Sequence, residues 1–209
     1  IGDSLYVCTP KNIVLALDPA TGRQKWRFDP KVPDEAIPYT AACRGVSFYG
    51  VPDATAGQAC AQRIIFATLD ARLFALDAAT GRPCQDFGSN GEVDTKIGMG
   101  STPPGYVSIT SPPTIVRGII VTGHQVLDGQ DRWAPSGVIR GFDAVGGKLA
   151  WAWDMMDPQW KGYPPPGETW ARGTPNMWTI ASADETLGLV HLPMGNASAD
   201  YYSSLRRGP

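Results

Sequence analysis

The sequence predicts an all-β chain of β-propeller blades: about three four-stranded antiparallel blades, in a ring that these residues do not close. Three observations carry this prediction. An Asp-to-Gly turn unit recurs three times, short apolar runs of strand length flank each copy, and a Trp follows two of the copies at the same offset.

The three copies are Ala16-Leu17-Asp18-Pro19-Ala20-Thr21-Gly22-Arg23-Gln24-Lys25-Trp26, Ala75-Leu76-Asp77-Ala78-Ala79-Thr80-Gly81-Arg82-Pro83-Cys84-Gln85 and Gly141-Phe142-Asp143-Ala144-Val145-Gly146-Gly147-Lys148-Leu149-Ala150-Trp151. An apolar strand ends at Asp, whose carboxylate bonds backbone N–H groups of the turn, and Gly accepts the positive φ that closes it. Each copy reads as a hairpin, near residues 13–28, 72–87 and 138–153. Trp26 and Trp151 stand at the same offset, whereas Gln85 takes that place in the second copy. An indole of this kind fills the space between neighbouring blades, and its N–H needs a carbonyl. A further strand precedes each hairpin: Ser4 to Val7, Arg63 to Thr68 and Gly118 to Thr122. Ser111 to Val116 supplies a fourth strand, and Leu187 to Leu192 begins another unit. The Asp-to-Asp spacings of 59 and 66 residues exceed a minimal blade, so the excess lies in loops. A stand-alone β-sandwich is the competing architecture, but its strands do not repeat such a unit.

Composition narrows the function. With 209 residues, 43% of them hydrophobic, the chain has material for a core, and 24 Gly with 19 Pro favour turns over long helices. A formal net charge of −2 leaves no basic excess to neutralise phosphates, which argues against nucleic acid as a partner. No apolar stretch reaches the roughly 18 residues of a membrane helix. Cys8, Cys43, Cys60 and Cys84 lack paired metal or redox spacing, leaving core thiols or disulfides. Cys43 and Cys60 bracket a loop of 16 residues, and one pairing open to them is a bridge that joins its ends.

The Asp-Thr-Gly-Trp repeat resembles the docking motif of the quinoprotein alcohol and sugar dehydrogenases, eight-bladed propellers that use pyrroloquinoline quinone (PQQ). Cys43-Arg44-Gly45-Val46-Ser47, Thr110-Ser111-Pro112-Pro113, Ser136-Gly137-Val138-Ile139-Arg140-Gly141-Phe142-Asp143 and Leu192-Pro193-Met194-Gly195 sharpen it. These stretches resemble the membrane-bound glucose/quinate/shikimate branch, in the family's order and over nearly the whole chain. The resemblance implies that residues 1–209 are part of one PQQ-binding propeller domain on the periplasmic face of the bacterial inner membrane. The membrane helices of the full-length enzyme are absent here, and its catalytic base is expected beyond Pro209. It also implies PQQ and Ca²⁺ (or Mg²⁺) as cofactors, a small-molecule alcohol as substrate and ubiquinone as electron acceptor.

Carried over residue by residue, the resemblance assigns four positions to the cofactor. Arg44 supplies planar bidentate donors to an anionic quinone, against the alternative of pairing with a neighbouring Asp. Thr110 donates its hydroxyl to a PQQ carboxylate. Trp178, in Gly173-Thr174-Pro175-Asn176-Met177-Trp178, forms the floor under the ring, with Trp170 as near competitor. His124 stands where a hydroxyl that reaches PQQ is expected, or else stabilises a loop. Asp128 and Asn196 are the expected metal ligands, oxygen donors suited to a hard cation; Asn196-Ala197-Ser198 also fits a glycosylation sequon. Glucose-oxidising members have a His three residues before the Cys of Cys-Arg-Gly. Thr40 stands there in this chain, which favours quinate or shikimate over glucose and leaves a polyol open. The rival class is a non-catalytic propeller scaffold of the outer-membrane assembly type, which shares the repeat but has no need of these inserts.

Overall fold

A computed structural model describes residues 1–55, 57–127, 129, 131–159, 161–202 and 204. The first sheet has three antiparallel strands, β1 (Leu5–Cys8), β2 (Val14–Leu17) and β3 (Gln24–Phe28). The second orders four neighbours in sequence: β4 (Ser47–Gly50), β5 (Gln62–Ala67), β6 (Arg72–Asp77) and β7 (Glu92–Asp94). Short β8 (Val107–Ser108) leads to the third blade, made of β9 (Thr114–Val116), β10 (Ile119–Thr122), β12 (Ile139–Asp143) and β13 (Leu149–Trp153). Between β10 and β12, β11 (Gln125–Val126) turns back to pair with β8. A final hairpin joins β14 (Ser182–Asp184) to β15 (Leu189–His191).

The Asp turns have the expected chemistry. Asp18 Oδ1 accepts the Thr21 N–H at 2.8 Å and the Thr21 hydroxyl at 2.8 Å. Asp77 Oδ1 does the same for Thr80, at 2.9 and 2.8 Å. Asp143, with Gly146 in place of Thr, accepts the Val145 and Gly146 N–H groups at 3.1 and 2.5 Å. Gly22, Gly81 and Gly147 close the three turns at φ of 72°, 71° and 68°, where a side chain would be strained. A fourth turn of this geometry, Asp184 to Gly188, joins β14 to β15, with Leu187 N–H on Asp184 Oδ1 at 2.9 Å.

Trp26 docks the first blade onto the second. Its indole Nε1–H donates to Ala78 O at 2.9 Å, and the ring lies so close over Gly81 that a Cβ there would meet it at 2.6 Å. Between the second and third blades, where Gln85 replaces Trp, other groups do this work. The buried Arg63 donates through Nη1 to Val145 O at 2.8 Å, and Gly88 N–H reaches Gly146 O at 3.0 Å. The strand after the second turn is also displaced. Pro83 makes a single bridge to Leu76, Cys84 is tied to Cys60, and regular pairing with β6 resumes only at β7. Apolar residues of adjacent blades fill the interfaces: Trp26, Phe66, Phe74 and Leu76 between the first two, Ile65, Phe87, Ile120 and Phe142 between the next two.

The bridges are Cys8–Cys43 and Cys60–Cys84, so the Cys43–Cys60 pairing that loop length suggested does not form. The reason is the strand between them. β4 carries the chain from one end of the second blade to the other, so its flanking cysteines sit at opposite ends. Cys43 instead meets Cys8 at the end of β1, and Cys60 meets Cys84 beside the Asp77 turn.

Candidate active-site cleft

The registers give every blade the same polarity. The Asp turns lie at one end, where Ile119 faces Asp143, Arg63 faces Asp77 and Leu5 faces Leu17. At the other end Thr122 faces Arg140 and Ser182 faces His191. The candidate site residues collect at this second end, on the approaches to the first strands of successive sheets. Arg44 lies three residues before β4, Thr110 four before β9 and Trp178 four before β14. Asn196 follows β15 at the same end.

These four residues, far apart in sequence, line one open cleft of about 430 Å³. Tyr39, Thr40, Gln125, Asn176 and Asp200 complete much of its wall. The Arg44 guanidinium donates to the Thr110 hydroxyl and lies 5.4 Å from the centre of the Trp178 ring. The Arg44 backbone N–H donates to Thr110 O at 3.0 Å. Thr110 Oγ1 and Ser111 Oγ both donate to Trp178 O, at 3.2 and 2.9 Å, and so fix the segment that presents the indole. Among the described residues Arg44 makes no ion pair, which sets aside pairing with a neighbouring Asp. Trp178 is 48% exposed, with the Arg44 guanidinium over its ring, whereas Trp170 is buried beneath Arg140 and donates to Gly162 O at 3.3 Å.

His124 is placed differently from the other three cofactor candidates. It is 1% exposed and does not line the open cleft; it borders a water-sized gap behind Thr110 and Trp178. Its Nε2–H donates to Ser136 O at 2.7 Å and its Nδ1 accepts from Arg140 Nη2 at 3.1 Å, an arrangement that requires a neutral ring. Burial pushes its pKa down to about 3, the adjacent Arg140 cation acting in the same direction. Its position supports the cleft from below. Arg140, itself fully buried, has its pKa lowered by burial to about 10.

The sequence did not single out the polar scaffold behind the cleft. The buried Asp154 carboxylate accepts from Ser136 Oγ at 2.8 Å and Thr174 Oγ1 at 2.9 Å, and Thr174 Oγ1 accepts the Gly137 N–H at 2.8 Å. This joins the loop before β12 to the loop that leads to Trp178. Only glycine fits at 137, where a Cβ would fall 1.9 Å from Pro175 O. The signal for this network was the Ser136-Gly137 motif, which sequence reading treats as a family marker rather than a joint.

For a metal, Asn196 is available at the cleft wall, where its Nδ2 donates to Asp200 Oδ1 at 2.7 Å, leaving the amide oxygen as a ligand atom. Asp128 lies outside the described residues. Cys60, Cys84 and Asp86 also cluster, but the two sulfurs are bridged and Asp86 pairs with Arg63, so they offer no thiolate site. A cleft with a guanidinium outside any ion pair among the described residues, a half-exposed indole and amide and carboxylate oxygens suits a flat anionic group with a hard cation beside it. Its volume falls within the roughly 300–1,000 Å³ of small-molecule sites.

Fold and cleft together define a stretch of a blade-built propeller with a cofactor-sized site at one end. Comparison with known proteins places it: the family described as "PQQ: Glucose/ethanol/alcohol dehydrogenase, beta-propeller domain" matches residues 1–209, and the chain belongs to that family. It is 50% identical over 206 residues to a protein named glycerol dehydrogenase large subunit from Gluconobacter oxydans, covering 99% of this chain and 28% of that protein. It is 37% identical to the quinoprotein glucose dehydrogenase of Escherichia coli and 34% identical to the quinate/shikimate dehydrogenase (quinone) of Acinetobacter baylyi. In each pair 99% of this chain is covered, but only 26% and 27% of the relative. The chain thus spans little more than a quarter of the length of these relatives. Among solved structures, the quinohemoprotein alcohol dehydrogenase of Comamonas testosteroni superposes with a TM-score of 0.67 at 22% identity, over 94% of this chain and 28% of that one. That likeness establishes the fold.

Proposed function

We propose that this chain forms part of the cofactor cage of a PQQ- and metal-dependent dehydrogenase that oxidises an alcohol. The observation that carries the reading is the convergence of Arg44, Thr110, Trp178 and Asn196 on one cleft from the approaches to three sheets and the exit from the last. Arg44, outside any ion pair among the described residues, offers a planar cation to an anionic edge, Trp178 offers an indole for stacking, and Thr110 holds both in register. Asn196, with Asp128, is proposed as oxygen ligand for Ca²⁺ or Mg²⁺. When bound, PQQ supplies the two-electron acceptor that protein side chains lack. The role of this chain's residues is to bind and orient; the carboxylate that takes the hydroxyl proton is proposed to lie in another blade. Without the rest of the ring, this chain alone is expected to show no turnover.

For the substrate we favour a polyol such as glycerol. The 50% identity to the glycerol dehydrogenase subunit exceeds the 34% and 37% to the quinate/shikimate and glucose enzymes, and Thr40 lies in the wall of the cleft. Electrons then pass to ubiquinone. The bridging of all four cysteines supports an oxidising compartment, the periplasm. A non-catalytic scaffold would have no use for a cleft with this donor set. The test is dye reduction by the full-length protein with PQQ and Ca²⁺, supplying glycerol, quinate, shikimate and glucose separately. PQQ-dependent turnover highest with glycerol is expected. No turnover with any of them, together with no quenching of Trp fluorescence by PQQ, would overturn the reading.

A further inference from the structure

We infer that the Cys8–Cys43 disulfide positions Arg44 in the cleft, a role beyond its share in stability. The inference rests on the reading of Arg44 as the anion-binding group of that cleft. Arg44 stands in an unusual segment: residues 29–46, between β3 and β4, contain no strand, and a single 3-10 turn, Asp34–Ala36, is their regular structure. A segment of that length without a ladder has many conformations to lose on folding. Its guanidinium is nevertheless specifically placed, against the Thr110 hydroxyl, 3.5 Å from Ser111 Oγ and over Trp178, with no carboxylate among the described residues to anchor it. What fixes the backbone at this point is the Arg44 N–H bond to Thr110 O and, one residue earlier, the covalent tie to Cys8.

Cys8 is the last residue of β1, paired with Val14 at the cleft end of the first sheet, so the tie ends on a laddered strand. Its Cα lies 5.9 Å from that of Cys43. Arg44 is thereby held from two sides: the bridge draws its segment to the first sheet, and Thr110 draws it to the approach of the third. Other ties of this connection to the blades, Lys11 with Asp34 and Arg72 Nη2 to Pro30 O at 2.7 Å, lie nine or more residues before Cys43. Loss of the bridge therefore leaves Arg44 held by its backbone bond to Thr110 O and its side-chain contacts alone, and the guanidinium spends less time over the indole.

The second disulfide provides the control. Cys60–Cys84 closes a loop of similar length, 24 residues against 35, so removing either bridge releases similar chain entropy. It lies at the opposite end of its blade, where Cys60 N–H donates to Asp77 Oδ2 at 2.6 Å. A purely stabilising role predicts that both bridges behave alike at the cleft, whereas a positioning role predicts that they differ.

The experiment compares full-length wild type, Cys8→Ser with Cys43→Ser, and Cys60→Ser with Cys84→Ser. Two readouts are taken: hydrogen exchange over residues 40–46, and PQQ affinity from quenching of Trp fluorescence. Removing Cys8–Cys43 is expected to speed exchange over 40–46 and weaken PQQ binding at least tenfold, while removing Cys60–Cys84 leaves both within twofold of wild type. Equal effects from the two pairs, or unchanged exchange over 40–46 without Cys8–Cys43, would overturn the inference. Failure of the wild type to bind PQQ would overturn the proposed function instead, and the exchange readout would still decide the positioning role. If a variant does not fold, graded reduction of the folded wild type, with the opened bridge identified by alkylation and mass spectrometry, reads the same two quantities.

Discussion

Replacing Trp26 with alanine is expected to loosen the joint between the first two blades by about 4 kcal/mol. The side chain is 9% exposed, its ring covers Gly81, and its Nε1–H bonds Ala78 O across the interface. Truncating a buried Trp costs about 3–5 kcal/mol through lost transfer energy and the cavity left behind. The hydrogen bond adds at most about 1 kcal/mol, because Ala78 O still accepts from Tyr6 Oη at 3.0 Å and is not orphaned. Trp26→Phe, which keeps most of the area and loses the N–H, should cost about 1–2 kcal/mol. Gly81→Ala attacks the same joint from the other side: the methyl would meet two indole carbons at 2.6 Å, at a φ of 71°. The assay is hydrogen exchange in the full-length protein, read at the Gly81 N–H, which donates to Asp77 O at 2.8 Å. A local loss of 4 kcal/mol appears there as roughly a thousandfold faster exchange, since each 1.4 kcal/mol is about tenfold. A change below tenfold in Trp26→Ala would refute the docking account.

Three further outcomes are expected. Gln85→Trp, which restores the repeat residue, should not stabilise, because the place over Gly147 is filled: a Cβ at Gly147 would already meet Gly88 N at 2.8 Å and Val93 Cγ2 at 2.9 Å. Comparison of unfolding midpoints of variant and parent checks this. His124 has a folded pKa pushed by burial far below its ordinary 6.5, so the unfolded chain binds the proton first. Its contribution is full above about pH 6.5 and falls as the pH drops toward 3, and His124→Gln should flatten the stability profile in that window, measured by urea unfolding. If the proposed metal site is right, Asn196→Leu should raise the Ca²⁺ concentration for half-maximal PQQ-dependent activity at least tenfold; an unchanged midpoint removes Asn196 from the site.

Much of the architecture was legible because the turn chemistry is local. Asp18, Asp77 and Asp143 bond N–H groups within three residues, and Gly22, Gly81 and Gly147 must adopt positive φ, so sequence spacing alone marks them. Arg44, Thr110 and Trp178 were legible through motifs, and the structure shows a physical basis for their spacing: each occupies the same approach to a first strand. What escaped is long-range. Arg63 and Gly88 replace the missing Trp of the second blade from positions 22 residues before and three after Gln85, with no repeat to flag them. Cysteine pairing depends on which end of β4 each residue occupies, a fact of topology that loop length hides. His124 read as a polar residue beside a cofactor, yet its partners Ser136 and Arg140 arrive from another strand and its approach. The Asp184–Gly188 turn shows that the same local chemistry also serves a hairpin between a pair of strands other than the Trp-bearing pair.

The proposed PQQ site of Arg44 and Trp178 is tested by a fluorescence titration of metal-loaded full-length apoprotein with PQQ. Wild type is compared with Arg44→Gln and with Trp178→Ala. Loss of a charge-assisted hydrogen bond, about 1.5–3 kcal/mol, predicts a Kd raised roughly 10- to 100-fold for Arg44→Gln. Trp178→Ala should weaken binding and remove part of the quenching. Saturable binding by wild type, weakened in both variants, is the predicted result; equal affinities across the three proteins would contradict the account.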